Sequence, residues 1–260
     1  MAAMLRIAAL SGAMLWGMGP VLAGEPAPTG TLRAVFLAGN PVQGRVDAKS
    51  GAVSGPAADL ARELARRHGV AAAIAGVPGV RAVIDRVKAD TADIGFLAFD
   101  PERAAEVDFS QVYSLAHNTY LVPDDSPIRS VGDADRAGYR IGVGQGDAAD
   151  LHLKRTLKNA QLVPNPGGAM DAALQMLAGG DIEAYAANRQ RLAEAIDRIG
   201  GLRLLPDNFL AVQQAIVVSK GRAERLAIVN AFLDDARKSG LIRDAIARAK
   251  LHGVDVAPGR

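Results

Sequence analysis

From residue 31 onward the chain switches between short apolar runs and amphipathic stretches of helical period. This alternation restricts it to an α/β fold in which helices flank a largely parallel sheet. Residues 31–37 read as a first strand, and residues 40–54, with Pro41, Gly44 and Gly51, as a loop or hairpin. Pro56 opens a helix with Leu60, Ala61, Leu64 and Ala65 on one face, and Gly69 ends it. A weak strand at 71–74, an apolar helical stripe of Val80, Val83, Ile84 and Val87, and a strand at 93–98 follow. The alternation then resumes: a strand at 140–143, the turn Gly144-Gln145-Gly146, and a helix from Asp147. Ala169, Ala173, Leu174 and Leu177 mark another helix, residues 182–186 a strand, Asn188 the cap of a helix, and residues 202–205 a strand. The β-branched run 212–218, a helix around Leu226 to Leu233 and a last helix over 241–251 lead to a polar tail. No fixed-period repeat is present, which disfavours solenoids and propellers.

Several function classes fall away on composition. The chain has 260 residues and no cysteine, so thiol nucleophiles, disulfides and thiolate metal sites are excluded. A formal net charge of +2 with interspersed signs offers no basic face for nucleic acid. Residues 1–23 carry one charge, Arg6, then an apolar run to Trp16 and a Val21-Leu22-Ala23 ending, the pattern of a secretory signal peptide. That run is too short for a membrane anchor, and without cysteine no lipid anchor can follow it. The exported chain is expected to be a periplasmic monomer.

Two strand-to-helix junctions are candidates for chemistry. In Asp100-Pro101-Glu102-Arg103 an acid caps the helix and Pro takes its first position. A cation in a helix's first turn is unfavourable unless an anion uses it, so Arg103 is either a carboxylate clamp or a surface residue paired with Glu106 or Asp108. Ile141-Gly142-Val143-Gly144-Gln145-Gly146-Asp147 lets backbone approach a ligand, yet its spacing is wrong for a dinucleotide and it also fits a capped tight turn. His68, His117, His152 and His252 are isolated, so neither a metal site nor a catalytic constellation emerges, and no cofactor is expected.

Leu32-Arg33-Ala34-Val35, Gly55-Pro56-Ala57-Ala58-Asp59-Leu60-Ala61, Asp100-Pro101-Glu102-Arg103 with Val107-Asp108-Phe109-Ser110, the Ile141–Asp147 turn and Ala178-Gly179-Gly180-Asp181-Ile182-Glu183-Ala184 occur in an order that resembles the family-3 periplasmic solute-binding proteins. The resemblance implies a two-lobe, type II binding-protein fold, with lobe one at 31–115 and 213–260, lobe two at 116–212, and crossing hinge segments near 112–118 and 208–213. It implies binding of an amino acid or related small carboxylate in the cleft, for delivery to an ABC permease complex. Arg103 then takes the ligand's α-carboxylate. Phe96, Ala98 and Asn40 stand where relatives carry small, polar and aromatic ligand contacts, Asp147 where they carry Ser or Thr, and Asn188 where they carry an ammonium-binding Asp. Asp147 or Glu183 is expected to restore the missing negative charge. The same cleft in an enzyme would make Asp147 or Glu183 the acid/base of a dehydratase or lyase. A soluble sensor for a membrane receptor is the third possibility.

Overall fold

The computed structural model describes residues 27–259, so the expected signal at 1–23 lies outside the described residues. Among the described residues are twelve strands and eight α-helices, starting with β1 (Thr31–Leu37), β2 (Arg45–Val46), β3 (Val53–Ser54), α1 (Pro56–Arg67), β4 (Ala71–Val77), α2 (Val80–Lys88), β5 (Ile94–Ala98), α3 (Pro101–Ala104) and β6 (Val107–Pro123). The second part holds β7 (Arg140–Gly144), α4 (Ala148–Thr156), β8 (Gln161–Asn165), α5 (Met170–Ala178), β9 (Ala184–Asn188), α6 (Arg189–Ile199), β10 (Leu202–Leu204), β11 (Leu210–Ser219), α7 (Ala223–Lys238), α8 (Leu241–Arg248) and β12 (Val254–Val256).

One sheet runs through the molecule in the order β4-β1-β5-β11-β6-β9-β7-β8, and β10 and β12 also pair with β6. At one end β1 is parallel to β4 and β5; at the other β7 is parallel to β8 and β9. The antiparallel pair β6 and β11 lies between these two parallel groups. The buried apolar side chains separate accordingly. Two clusters, one on each sheet face, draw on residues 27–116 and 212–254, and two others on residues 120–205. These are the two lobes of a type II binding-protein fold, each with helices on both faces of its sheet.

The two parallel groups repeat one device. Arg33 opens towards Asp93, just before β5: its Nη2 donates to Oδ1 at 2.7 Å and its backbone N–H to Oδ2 at 2.8 Å. Arg140 does the same to Glu183, just before β9, with its backbone N–H at 2.5 Å and Nη2 at 2.7 Å. In each case the acid's own N–H returns a bond to the arginine carbonyl. The strand registers agree as well, since Ala34 faces Ile94 and Ile141 faces Ala184, so Ala98 and Asn188 hold equivalent places at the strand ends.

Three elements depart from the sequence reading. The crossing segment near 112–118 is the middle of a seventeen-residue strand, β6, not marked as a strand from the sequence; it pairs with β11 through Ala116–Val212 and Asn118–Leu210. Two register shifts interrupt this ladder near Ala215, and there Ser110 Oγ accepts from the Ile216 N–H at 2.9 Å. A local bulge is thus satisfied by a side chain rather than left open. The polar tail contains β12, where Val254 and Val256 flank Asp255 against β6. Strand β8 escaped notice because it is a sheet edge interrupted by Pro164.

Candidate functional site

Between the lobes lies a cavity of about 390 Å³ whose walls come from both, with Asn118 of β6 and Gln214 of β11 at its floor. Five of the residues singled out from the sequence line it: Asn40, Ala98, Arg103, Asp147 and Asn188.

Arg103 owes its position to the β5–α3 turn. Asp100 caps α3 by accepting from the N–H groups of Glu102 at 2.9 Å and Arg103 at 3.4 Å, with Pro101 in the first turn. The Arg103 side chain folds back over the end of β5, where Nη1 donates to the Ala98 carbonyl at 3.0 Å. It is 8% exposed. Burial lowers its pKa from the ordinary value, opposed by the nearby charges of Asp100, Asp147 and Glu102. A guanidinium stays charged under such a shift. Among the described residues no carboxylate comes within 4.0 Å of it, so neither Glu106 nor Asp108 is its partner; Glu106 bonds Arg81 and Lys88 instead, and Asp108 pairs with Lys220. The other buried arginine, Arg225, is 6% exposed and has Asp90 and Asp93 at 3.9 and 4.0 Å.

Across the cavity, Asp147 caps α4 and accepts from the Asp150 N–H at 3.0 Å. The turn before it needs glycine: a Cβ on Gly144 would lie 2.7 Å from Asp147 Oδ2, and Gly146 has φ of 75°. Burial raises the Asp147 pKa, against the lowering effects of its bond from Asp150 and the charge of Arg191. Asn188 ends β9 and caps α6 by accepting from the Arg191 N–H at 2.9 Å. Asn40 closes a turn by accepting from the Val42 N–H at 3.2 Å.

Two expected contacts lie elsewhere. Phe96 shares a sheet face with Ala98 but sits two residues, about 7 Å, deeper along the strand. It is fully buried in the core, edge-on to Tyr113 at 6.1 Å between ring centroids. Glu183 does not line the cavity. Five residues, about 17 Å of strand, separate it from Asn188, and it is committed to Arg140. Any negative charge facing a ligand across the cleft therefore comes from Asp147.

Sequence reasoning missed Asn118, Gln214 and Arg191. The two amides lie on the crossing strands, where nothing in a β-rich stretch distinguishes a floor residue from its neighbours. Gln214 is tied to Gln43, whose Nε2 donates to its Oε1 at 3.2 Å. Asn118 is buried, and its Oδ1 has no hydrogen-bond partner. Arg191 carried a legible signal, since it follows its helix cap by three residues as Arg103 follows Asp100.

Two α/β lobes joined by paired crossing strands around a polar cleft are the architecture of a solute-binding protein. The chain belongs to the bacterial extracellular solute-binding proteins, family 3, whose model matches residues 34–248. Among solved structures it is similar to the P235GK mutant of ArgBP from T. maritima, at 23% identity over 88% of this chain and 99% of that one, with a TM-score of 0.71. It is also similar to the ancestral amino acid-binding protein AncCDT-1, a precursor of cyclohexadienyl dehydratase, at 25% identity, 84% and 95% coverage and a TM-score of 0.69. AbpA from Streptococcus pneumoniae, an amino acid ABC transporter substrate-binding protein bound to L-arginine, matches at 20% identity, 85% and 94% coverage and a TM-score of 0.70. No curated protein sequence matches the chain. Among the described residues no helix is long and apolar enough to cross a membrane.

Proposed function

We propose that the protein binds an amino acid in the interlobe cavity, in the periplasm, and presents it to an ABC permease complex. One observation carries this reading: Arg103 is a buried cation that lines the cavity and has no carboxylate of its own. A buried charge whose neighbouring acids stay beyond contact distance is costly, and a ligand carboxylate reduces that cost through short, charge-assisted bonds. Asp147, Asn188 and the unpartnered Asn118 Oδ1 supply acceptors for an ammonium group on the opposite side. The relatives named as amino acid-binding proteins support the same ligand class.

The lobes take the boundaries 31–115 with 213–260 and 116–212, and the signal at 1–23 directs export. The dehydratase reading loses one of its two acid/base candidates, because Glu183 lies outside the cavity against Arg140. A cyclohexadienyl acid is accordingly expected to yield no aromatic chromophore with this protein.

Isothermal titration of the exported chain with individual amino acids and small carboxylates tests the assignment. Saturable binding of at least one amino acid is expected, and Arg103→Met raises its Kd by at least about a hundredfold, the loss of two charge-assisted hydrogen bonds. No heat with any of these compounds, or an unchanged Kd in Arg103→Met, overturns it.

A further inference from the structure

The cavity holds three charged side chains, and two of them are arginines: Arg103 and Arg191 face the single carboxylate of Asp147. Arg191 stands in the first turn of α6, a helix whose first turn contains no acid. A cation there opposes the helix dipole. Arg189, also in that turn, is absorbed by the chain: its Nε and Nη2 donate to Asn208 Oδ1 at 3.0 and 2.8 Å, and Nη2 also reaches the Leu205 carbonyl at 2.9 Å. Arg191 is not absorbed. Among the described residues its guanidinium has one hydrogen-bond partner, the carbonyl of Gly168 on the cavity wall, and no carboxylate lies within 4.0 Å, although its charge is felt at Asp147. An independent sign that the cavity takes a ligand is Asn118, a buried amide in its lining whose Oδ1 lacks a donor and so suits the ligand's ammonium group.

We infer that Arg191 receives a second acid group of the ligand, so that the site takes an acidic amino acid, with glutamate or aspartate as the chemical type. This rests on the reading above, in which Arg103 takes the α-carboxylate. The balance of charge decides between side chains. With both carboxylates bound to arginines and the ammonium at Asp147, the three protein charges meet three ligand charges of opposite sign. A basic side chain, as in the L-arginine bound by AbpA, would instead add a cation to a cavity that already has a surplus of one. Gly168, at φ of 62°, lies against Gly144 across the turn, with a built Cβ 3.5 Å from the Gly144 Cα and 3.8 Å from Arg191 Nη1. The positive φ is what calls for glycine here, and the arginine lies in ordinary contact with this turn.

The test compares the Kd of L-glutamate with that of L-glutamine, and of L-aspartate with L-asparagine, by isothermal titration, with L-arginine as a further ligand. The wild-type protein is expected to bind one acid at least about tenfold more tightly than its amide, the scale of one hydrogen bond to a charged group. In Arg191→Gln that ratio falls to within about twofold of one; in Arg191→Lys, which keeps the charge but loses the fork, it is reduced. Circular dichroism confirms that the variants are folded, and the wild-type ratio decides even if a variant is not. A preference for the amide or for L-arginine, or a ratio that persists in Arg191→Gln, overturns the inference while leaving amino acid binding intact. Failure of every amino acid to bind overturns the underlying reading instead.

Discussion

Arg103 and Arg225 are both hidden from water, yet of the two only Arg225 has carboxylates within 4.0 Å, and that contrast separates an arginine paired inside its lobe from one left open to the cavity. The acids divide in the same way. Asp93 and Glu183 each close a fork with an arginine at the far end of the sheet from the cavity, whereas Asp147 stands at the cavity with its pKa raised by burial. Asp93→Asn should lower stability by about 3 kcal/mol, because its partner's charge is left beside a buried site. Glu183→Gln, on a more exposed pair, should cost about 1 kcal/mol and leave ligand affinity unchanged; thermal melts and titrations check both. Asp147→Asn should weaken binding instead. Only ionised Asp147 attracts an ammonium group, and its proton is held above the ordinary carboxylate range. Affinity should therefore fall on acidification at a pH above that range, as the carboxylate is protonated, and Asp147→Asn should abolish this dependence. Titrations across pH measure it. The capping pattern exposed Arg103 in the sequence. The same logic reaches Arg191, which has the identical offset from its cap but lacks the acid and proline that drew attention to the first junction.

Strands and helices were legible where apolar period and caps agreed, as in β1, α1, β5 and α6. Two kinds of element were not. Strand β6 spans both lobes, so its residues meet a different environment along its length and no single periodicity covers it. Short β12 draws stability from β6, distant in sequence, and β8 is an edge strand with Pro164 inside it. Close packing at two strand glycines also lay beyond sequence reading. A Cβ on Gly95 of β5 would meet Val83 Cγ1 at 2.7 Å, and one on Gly142 of β7 would meet Ile182 Cδ1 at 2.6 Å. Gly142→Ala is expected to destabilise by about 1–3 kcal/mol through overpacking, seen as a lowered midpoint in urea unfolding. Removing the bulge's side-chain acceptor with Ser110→Ala should cost about 1–2 kcal/mol by leaving the buried Ile216 N–H unpaired.

At the scale of the molecule, the cavity is a product of two lobes meeting along continuous strands rather than of either lobe alone. Contacts outside the cavity also join them: Arg45 of β2 pairs with Glu194 of α6, and Gln190 Oε1 accepts from the His252 N–H at 2.6 Å. Where ligand binding moves the lobes about β6 and β11, such contacts bias the equilibrium towards the form that makes them. Because the Arg45–Glu194 pair is solvent-exposed, Glu194→Gln should raise the ligand Kd only about twofold. The fold class followed from alternation and order in the sequence; the charge balance of the cavity did not, because it depends on which side chains two distant segments bring to one place. The most direct measurement is a crystal structure of the protein with its bound amino acid. The α-carboxylate is expected within hydrogen-bond distance of Arg103, and the ammonium group facing Asp147 and Asn188. A ligand seated elsewhere on the molecule, or one in this cavity with no carboxylate at Arg103, would contradict it.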